Sequence, residues 1–300
     1  MYLIERLRYW RHWRWQAKAK SLALPIARTA VPHNGNLRLG VVLHLFYPDL
    51  ADDFAKYLRN IDQPFDLMIT TDTVEKKRQI LRHPVAKIAT LTKIRLTPNR
   101  GRDIAPKVIA YAKDYKSYDL LLFLHSKRSP HAVSLANWRI YLLEQLLGSR
   151  AIVSNIVDLF AQVKDLGIVA PRHFDPVSNG IEWGANYEDS KAFAARFGVS
   201  LGKPTAPMDF PSGSMFWARP QALQPILDLN LSIDDFELEN GQVDGTLAHR
   251  IERLFYFACE KSGHSWVTVA NCETLDGREN MFFAKDFDDA AKTMRSDLLS

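Results

Sequence analysis

Short, mostly apolar runs, each with a polar residue at or next to its end, constrain this chain more than any other feature. Leu37–Leu45 (LRLGVVLHL), Phe65–Thr71 (FDLMITT) and Tyr118–His125 (YDLLLFLH) are short for packed helices and too continuously apolar for half-exposed strands. Such runs fit strands buried on both faces, the pattern of a parallel sheet. Between them lie segments with apolar residues at helical spacing, such as Leu50, Phe54, Tyr57 and Leu58 within Asp49–Asn60, and a helix is expected at Val74–Leu81. A short strand, KIRL, falls within Ala86–Leu96, and Asp103 and Pro106 are suited to opening a helix lined by Ile104, Val108, Tyr111, Ala112 and Tyr115. Alternation of this kind predicts an α/β fold, a Rossmann-type, mostly parallel central sheet with helices on both faces.

The second half continues the pattern less regularly. Helices are expected at Ala136–Leu147, Ala151–Val163, Pro220–Leu227 and Gln242–Lys261, and strands at Gly167–Pro171, Ser214–Ala218 and Trp266–Ala270. Met281–Ser300 reads as a peripheral helical tail, and no second-domain boundary shows after residue 37.

Charge separates the N-terminus from the rest. Residues 1–20 hold six Arg and Lys against Glu5 alone, which accounts for the whole formal net charge of +5. The remainder is formally neutral, which excludes a broad nucleic-acid-binding face. In the same segment Tyr2, Tyr9, Trp10, Trp13 and Trp15 alternate with the basic residues, without an uninterrupted apolar run. Aromatic rings prefer the lipid headgroup layer and Arg/Lys are drawn to anionic lipid, so residues 1–20 read as an amphipathic membrane-surface anchor. Pro25 and the stretch 31–36 read as a linker, giving an N-terminal segment at 1–36 and a domain at 37–300. The two cysteines, Cys259 and Cys272, make no close pair, in keeping with a reducing cytoplasm.

In an open α/β sheet ligands gather beyond the carboxyl ends of the strands. Four polar segments occupy those ends: His44–Tyr47, Thr70–Asp72, Asn99–Asp103 and His125–Arg128. Asp72 suits a nucleobase or ribose contact, or equally a helix cap. In Asn99-Arg100-Gly101-Arg102-Asp103 the glycine admits close backbone approach and the arginines offer planar forks for phosphate. His125 and Lys127, with Arg128, form a cationic group placed to meet developing negative charge. Ser212, Gly213 and Trp217 lie in a small, polar-to-apolar segment that suits an acceptor site, although Trp217 serves a core equally well. Asp244, ahead of the long late helix, is either a general base or a helix N-terminal carboxylate. Patterns for P-loop enzymes, zincins, serine hydrolases and Cys/His metal sites are absent from the sequence.

Four ordered motifs, NRGRDIAP (99–106), YDLLLFLHSKRS (118–129), FPSGSMFWARP (210–220) and VDGTLAHRIERLF (243–255), resemble the rhamnan synthesis protein F family of bacterial surface-polysaccharide assembly. The similarity covers roughly residues 37–271, and the motif order is more distantly similar to inverting glycosyltransferases of the GT-A fold. The resemblance implies a nucleotide-sugar donor, dTDP-L-rhamnose being one such donor. It matches Asp72, Asn99 and Gly101 to nucleotide-contacting positions, Lys127 with Arg100, Arg102 or Arg128 to the metal's charge, and Asp244 to the catalytic base; joined to the residue readings above, the expected donor site is Asp72, Asn99, Arg100, Gly101, Asp103, His125 and Lys127 and the acceptor site Ser212, Gly213 and Trp217. A lipid-linked glycan acceptor, and a peripheral position on the inner face of the plasma membrane, would give the N-terminal anchor a purpose. Where the GT-A pattern carries a metal-holding DxD motif this chain reads His125-Ser126-Lys127, so no metal ligand is assigned and a divalent metal stays an open cofactor. The departure is also what a non-catalytic glycan- or partner-binding module of polysaccharide assembly would show.

Overall fold

The computed structural model describes residues 21–26, 37–126, 135, 137–178, 180–205, 208–274 and 281–299, with backbone alone from 294. Nine strands form one sheet: β1 Ser21–Leu24, β2 Leu39–His44, β3 Phe65–Thr71, β4 Leu91–Leu96, β5 Leu120–His125, β6 Leu166–Pro171, β7 Phe216–Ala218, β8 Ser265–Asn271 and β9 Met281–Phe282. Their order is β4-β3-β2-β5-β7-β6-β8-β1-β9. Every pairing is parallel except those of β7, which runs antiparallel to β5 and β6.

The strands alternate sides with the period of two that the pleat imposes. Leu39, Val41 and Leu43 of β2, with Leu120, Leu122 and Leu124 of β5, face one apolar layer. That layer is completed by α1 (Ala51–Leu58), α2 (Val74–Arg82), α3 (Trp138–Leu147), α4 (Arg150–Gln162) and α8 (Phe287–Leu299). Val42, Met68, Leu121 and Phe123 face the other layer, built from residues 104–118, α5 (Tyr187–Ala195), α6 (Pro220–Leu227) and α7 (Leu247–Lys261). Burial on both faces explains why β2 and β5 are apolar without interruption. Local signals open several helices: the Thr73 side chain accepts from Lys76 N at 3.2 Å at the start of α2, and Ser149 accepts from Ile152 N at 3.3 Å at the start of α4.

Three expectations are corrected. Residues 1–36 are not wholly an appended segment and linker, because Ser21–Leu24 pairs with β8 and β9 inside the sheet. Leu22 and Leu24 are fully buried; a strand of four residues is too short to show a period, and Pro25 behind it reads as a breaker. The helix expected from Asp103 is instead a single turn followed by a π-helical stretch at Pro106–Ala110. There the Lys107 carbonyl accepts from the buried Tyr115 hydroxyl at 2.5 Å, so side-chain anchoring replaces a regular ladder. The late helix starts at Leu247 rather than Gln242. Gly245 holds a left-handed φ of 81°, and Thr246 caps the helix with its hydroxyl 2.7 Å from His249 Nδ1. Residues 1–20 lie outside the described residues.

If β1 belongs to the core, Leu24→Ala should lower the unfolding free energy by about 2–5 kcal/mol in urea denaturation. A linker leucine would change it by no more than about 0.5 kcal/mol.

Candidate functional site

From β2 the sheet grows one way through β3 and β4 and the other way through β5, so strand order reverses between β2 and β5. Loops leaving the two strands part there and open a crevice. The last residues of the two strands, His44 and His125, are register partners and both are buried. His44 Nδ1 lies 2.9 Å from Thr70 Oγ1 at the end of β3. The Ser126 hydroxyl accepts from Tyr47 N at 2.9 Å and donates to His44 O at 3.3 Å, stitching the two exit loops together.

Burial pushes His44 down to about 4, against the opposing pull of Asp103 and with the help of nearby His125. The imidazole is therefore neutral near pH 7. His125 Nε2 lies 2.7 Å from the Gly213 carbonyl, and as the N–H partner of that acceptor it carries its proton on Nε2. Asp103 Oδ2 is 3.7 Å from the same nitrogen and 3.3 Å from Lys107 Nζ. Lys107 is 3% exposed and donates to Ser214 O at 2.5 Å. Its ammonium sits 5.8, 5.1 and 5.3 Å from the ring centroids of Phe123, Phe216 and Phe255. Burial lowers its affinity for the proton, while Asp103 and Glu252 act to keep it charged. Glu252 of α7 accepts from Gly213 N at 3.1 Å and Ser214 Oγ at 2.9 Å.

The structure thus brings Asp72, Asp103 and His125 to one edge of the sheet, together with Gly213 and Ser212. Asp72 pairs with Lys76 at 2.6 Å, and the cap of α2 is Thr73, so Asp72 is not the cap. The Lys76 ammonium stands 3.6 Å from the Phe46 ring centroid. Asn99 is exposed on the neighbouring loop, and Lys127 and Arg128 lie outside the described residues.

Several expected roles change. Trp217 does not face a sugar site: it is fully buried in β7, with Nε1 donating to Leu146 O at 3.4 Å, because inward positions of a central strand take the largest apolar volumes. Arg100 pairs with Asp234 at 2.8 Å, and Arg102 donates to Gln242 O and pairs with Glu239, so both arginines tie down the 234–242 loop. Gly101, at φ 65°, is required by packing, since a Cβ there would lie 2.3 Å from Phe236 Cδ1. Asp244 stands before α7, one-third exposed, accepting from Asn186 Nδ2 at 2.6 Å and Ala185 N at 3.4 Å, with Arg253 Nη2 at 3.4 Å. Burial alone would raise its carboxyl, but Asn186, Arg253 and the Gly245 N–H together hold it below the usual range. A carboxylate stabilised in this way is a weakened base.

The sequence matches the family described as rhamnan synthesis protein F over residues 20–264. This chain belongs to the rhamnan synthesis protein F family. The match begins where β1 begins, in keeping with a fold that includes it. Two curated relatives from Xanthomonas campestris pv. campestris, strains B100 and ATCC 33913, both named uncharacterized protein WxcX, are 37% identical over 234 residues. That stretch is 76% of this chain and 32% of each relative, so the chain spans about a third of their length. Among solved structures, the mannosyltransferase PcManGT from Pyrobaculum calidifontis in complex with GDP-Man and Mn2+ aligns over 89% of this chain and 64% of that one. The TM-score is 0.46 and the identity 13%.

Four residues beside the predicted ones were not singled out from the sequence: Lys107 and Glu252, described above, and His173 and Asp209, paired at 2.9 Å with His173 Nδ1 2.8 Å from Ser212 Oγ. Asp103 and Lys107 stand four apart in an otherwise apolar stretch, which was a readable signal. His173 follows the end of β6 by two residues and satisfies the same strand-end rule. Among the described residues, no group of three or more His, Cys, Asp or Glu side chains could hold a metal ion.

His44 also sets a pH dependence. Its folded-state value of about 4 lies below the ordinary 6.5, so protons bind the unfolded chain first as pH falls. The stability tied to neutral His44 is complete above pH 6.5 and is lost progressively toward pH 4. His44→Gln should flatten that limb in urea-denaturation midpoints measured across this range.

Proposed function

We propose that this chain is a glycosyltransferase domain of bacterial surface-polysaccharide synthesis, with a GT-A-like arrangement and a nucleotide-sugar donor. The observation that carries the reading is the family membership joined to where the polar cluster lies. His44, Asp72, Asp103 and His125 meet at the reversal point of strand order, the position where open α/β sheets take nucleotides. In this reading Asp72, beside the Lys76–Phe46 pair, meets the nucleobase or ribose, and the His125 edge meets the diphosphate. The finer reading is an inverting transfer of rhamnose to a lipid-linked glycan.

The donor site is tested by titrating the full chain in a calorimeter with dTDP, UDP and GDP and their sugar conjugates, with and without Mg2+ or Mn2+. One nucleotide series should bind, and Asp72→Asn and His125→Ala should each weaken it about tenfold, or 1.4 kcal/mol. Silence from every nucleotide would leave the non-catalytic module as the better reading.

Residues 1–20 complete the proposal as an anchor to the inner membrane face. Among the described residues no helix is long and apolar enough to cross a membrane. Each Lys or Arg near an anionic surface contributes about 1 kcal/mol. The full chain should therefore co-float with vesicles containing phosphatidylglycerol, release as salt is raised, and lose binding when residues 1–20 are deleted. Equal flotation of the deleted form would dismiss the anchor.

A further inference from the structure

A second hydrogen-bonded chain meets the site from the β6 side. His173 Nε2 lies 2.9 Å from Asp209 Oδ1, and His173 Nδ1 lies 2.8 Å from Ser212 Oγ. A carboxylate accepts only, so Nε2 carries the proton and Nδ1 is left to accept the Ser212 hydroxyl. The backbone that carries the ring and the carboxylate that holds it are themselves anchored. Tyr141 Oη donates to the Arg172 and His173 carbonyls at 3.0 and 3.2 Å. Asp209 Oδ1 also accepts from Phe210 N at 2.7 Å. Other charged or titratable groups around the chain are the Arg172–Asp175 pair at 3.7 Å, Arg253, 5.3 Å from the Phe210 ring centroid, Glu252 on the Gly213 amide and Ser214 hydroxyl, and the buried Tyr256 hydroxyl, which burial and then Asp209 push up.

Ser212 is not set up as a nucleophile for acyl transfer. The amides around it are committed: Phe210 N to Asp209, Gly213 N to Glu252, and Ser214 N to Pro211 O at 2.8 Å. No pair of these is left to hold an oxyanion. What the chain can do is take a proton. Ser212 adjoins Gly213, whose carbonyl holds His125 at the reversal point, so the relay ends beside the proposed donor site. Asp244, by contrast, already accepts from Asn186 and Ala185 and faces Arg253.

We infer that the Asp209–His173–Ser212 chain, rather than Asp244, is the route by which the acceptor hydroxyl loses its proton. This rests on the transferase reading above. The acceptor hydroxyl donates to Ser212 Oγ as Ser212 passes its own proton to His173 Nδ1. The acceptor oxygen forms its bond to the anomeric carbon as the bond from that carbon to the phosphate oxygen breaks. The nucleoside diphosphate leaves with the electron pair. His173 becomes an imidazolium held by Asp209 and then returns its proton to solvent. Ser212 touches substrate in this scheme, while His173 and Asp209 act through it.

The test uses the full chain, the dTDP-, UDP- and GDP-sugars of the titration, and detergent-solubilised bacterial membrane lipid as acceptor. His173→Gln should lower kcat at least 100-fold, within the roughly 10²–10⁴ of general base catalysis, with donor affinity within twofold of wild type. Ser212→Ala should lose at least tenfold, and Ser212→Thr, which keeps the hydroxyl, should recover most of it. Near-normal turnover in His173→Gln, with turnover abolished in Asp244→Asn, would overturn the relay and leave the transferase reading intact. A wild type that transfers no sugar defeats the transferase reading and takes the relay with it. Independently of turnover, 15N-histidine NMR should show His173 as the Nε2–H tautomer, its signal assigned by loss in His173→Gln. An Nδ1–H tautomer would refute the relay even in an active enzyme.

Discussion

The site is built around one buried cation. An ammonium removed from water costs several kcal/mol unless its surroundings replace the lost hydration. For Lys107 the replacement comes from Asp103, the Ser214 carbonyl and the faces of Phe123, Phe216 and Phe255. Those partners belong to the segment after β4, the turn before β7, strands β5 and β7, and helix α7. Meeting the needs of Lys107 therefore requires all of these in one place. The same Asp103 stands 3.7 Å from His125, so the group that compensates the lysine also sets the field at the end of β5. Glu252 extends the arrangement by holding the Gly213 amide and the Ser214 hydroxyl. The 212–214 turn is thus gripped through its carbonyls from one side and its donors from the other.

Much of the architecture could be read from the residues alone, for a physical reason. Strands buried on both faces are apolar along most of their length, and β2 and β5, up to their terminal histidines, and the Leu67–Ile69 centre of β3 announce themselves that way. Elements whose stability comes from distant partners were not legible. β1 is four residues long and exists because β8 and β9 flank it. The segment after Asp103 has helical spacing, yet Tyr115 and Lys107 anchor it into a wider turn. Residues 242–246 continue the apolar spacing of α7, but Gly245 and the Thr246 cap exclude them from the helix.

The candidate site was legible in position more than in pairing. The strand-end rule selected His44, Asp72, Asp103 and His125, and in the fold the other three all lie near enough to act on the charge of His44, after burial itself. Side-chain partners are a matter of tertiary distance, which spacing does not carry. Trp217 shows the limit clearly: an aromatic beside small polar residues suits a sugar, but its position in β7 points it into the core. His173 and Asp209 are separated in sequence by a helix-bearing excursion and meet only because β6 ends beside the turn that leads into β7.

The site divides into a fixed part and an exchangeable part. Lys107, His44 and His125 are buried, and leaving any partner of such groups unpaired is costly, so they are preorganised. The arginines of the 99–103 segment sit differently. Arg100 meets Asp234, whose side chain is 84% exposed, and the Arg102–Glu239 contact is 4.0 Å. Exposed pairs of this kind contribute about 0–1 kcal/mol each. Under the proposed function, a diphosphate at the His125 edge that reached these arginines would displace such partners at small cost. The 234–242 loop, which those arginines now hold, leads directly to Asp244 and its contacts with Ala185, Asn186 and Arg253. Exchange at the arginines would then be felt at that loop while the buried histidine and lysine cluster stayed in place. A site arranged this way holds its buried histidine and lysine groups fixed and confines exchange of partners to the exposed arginines.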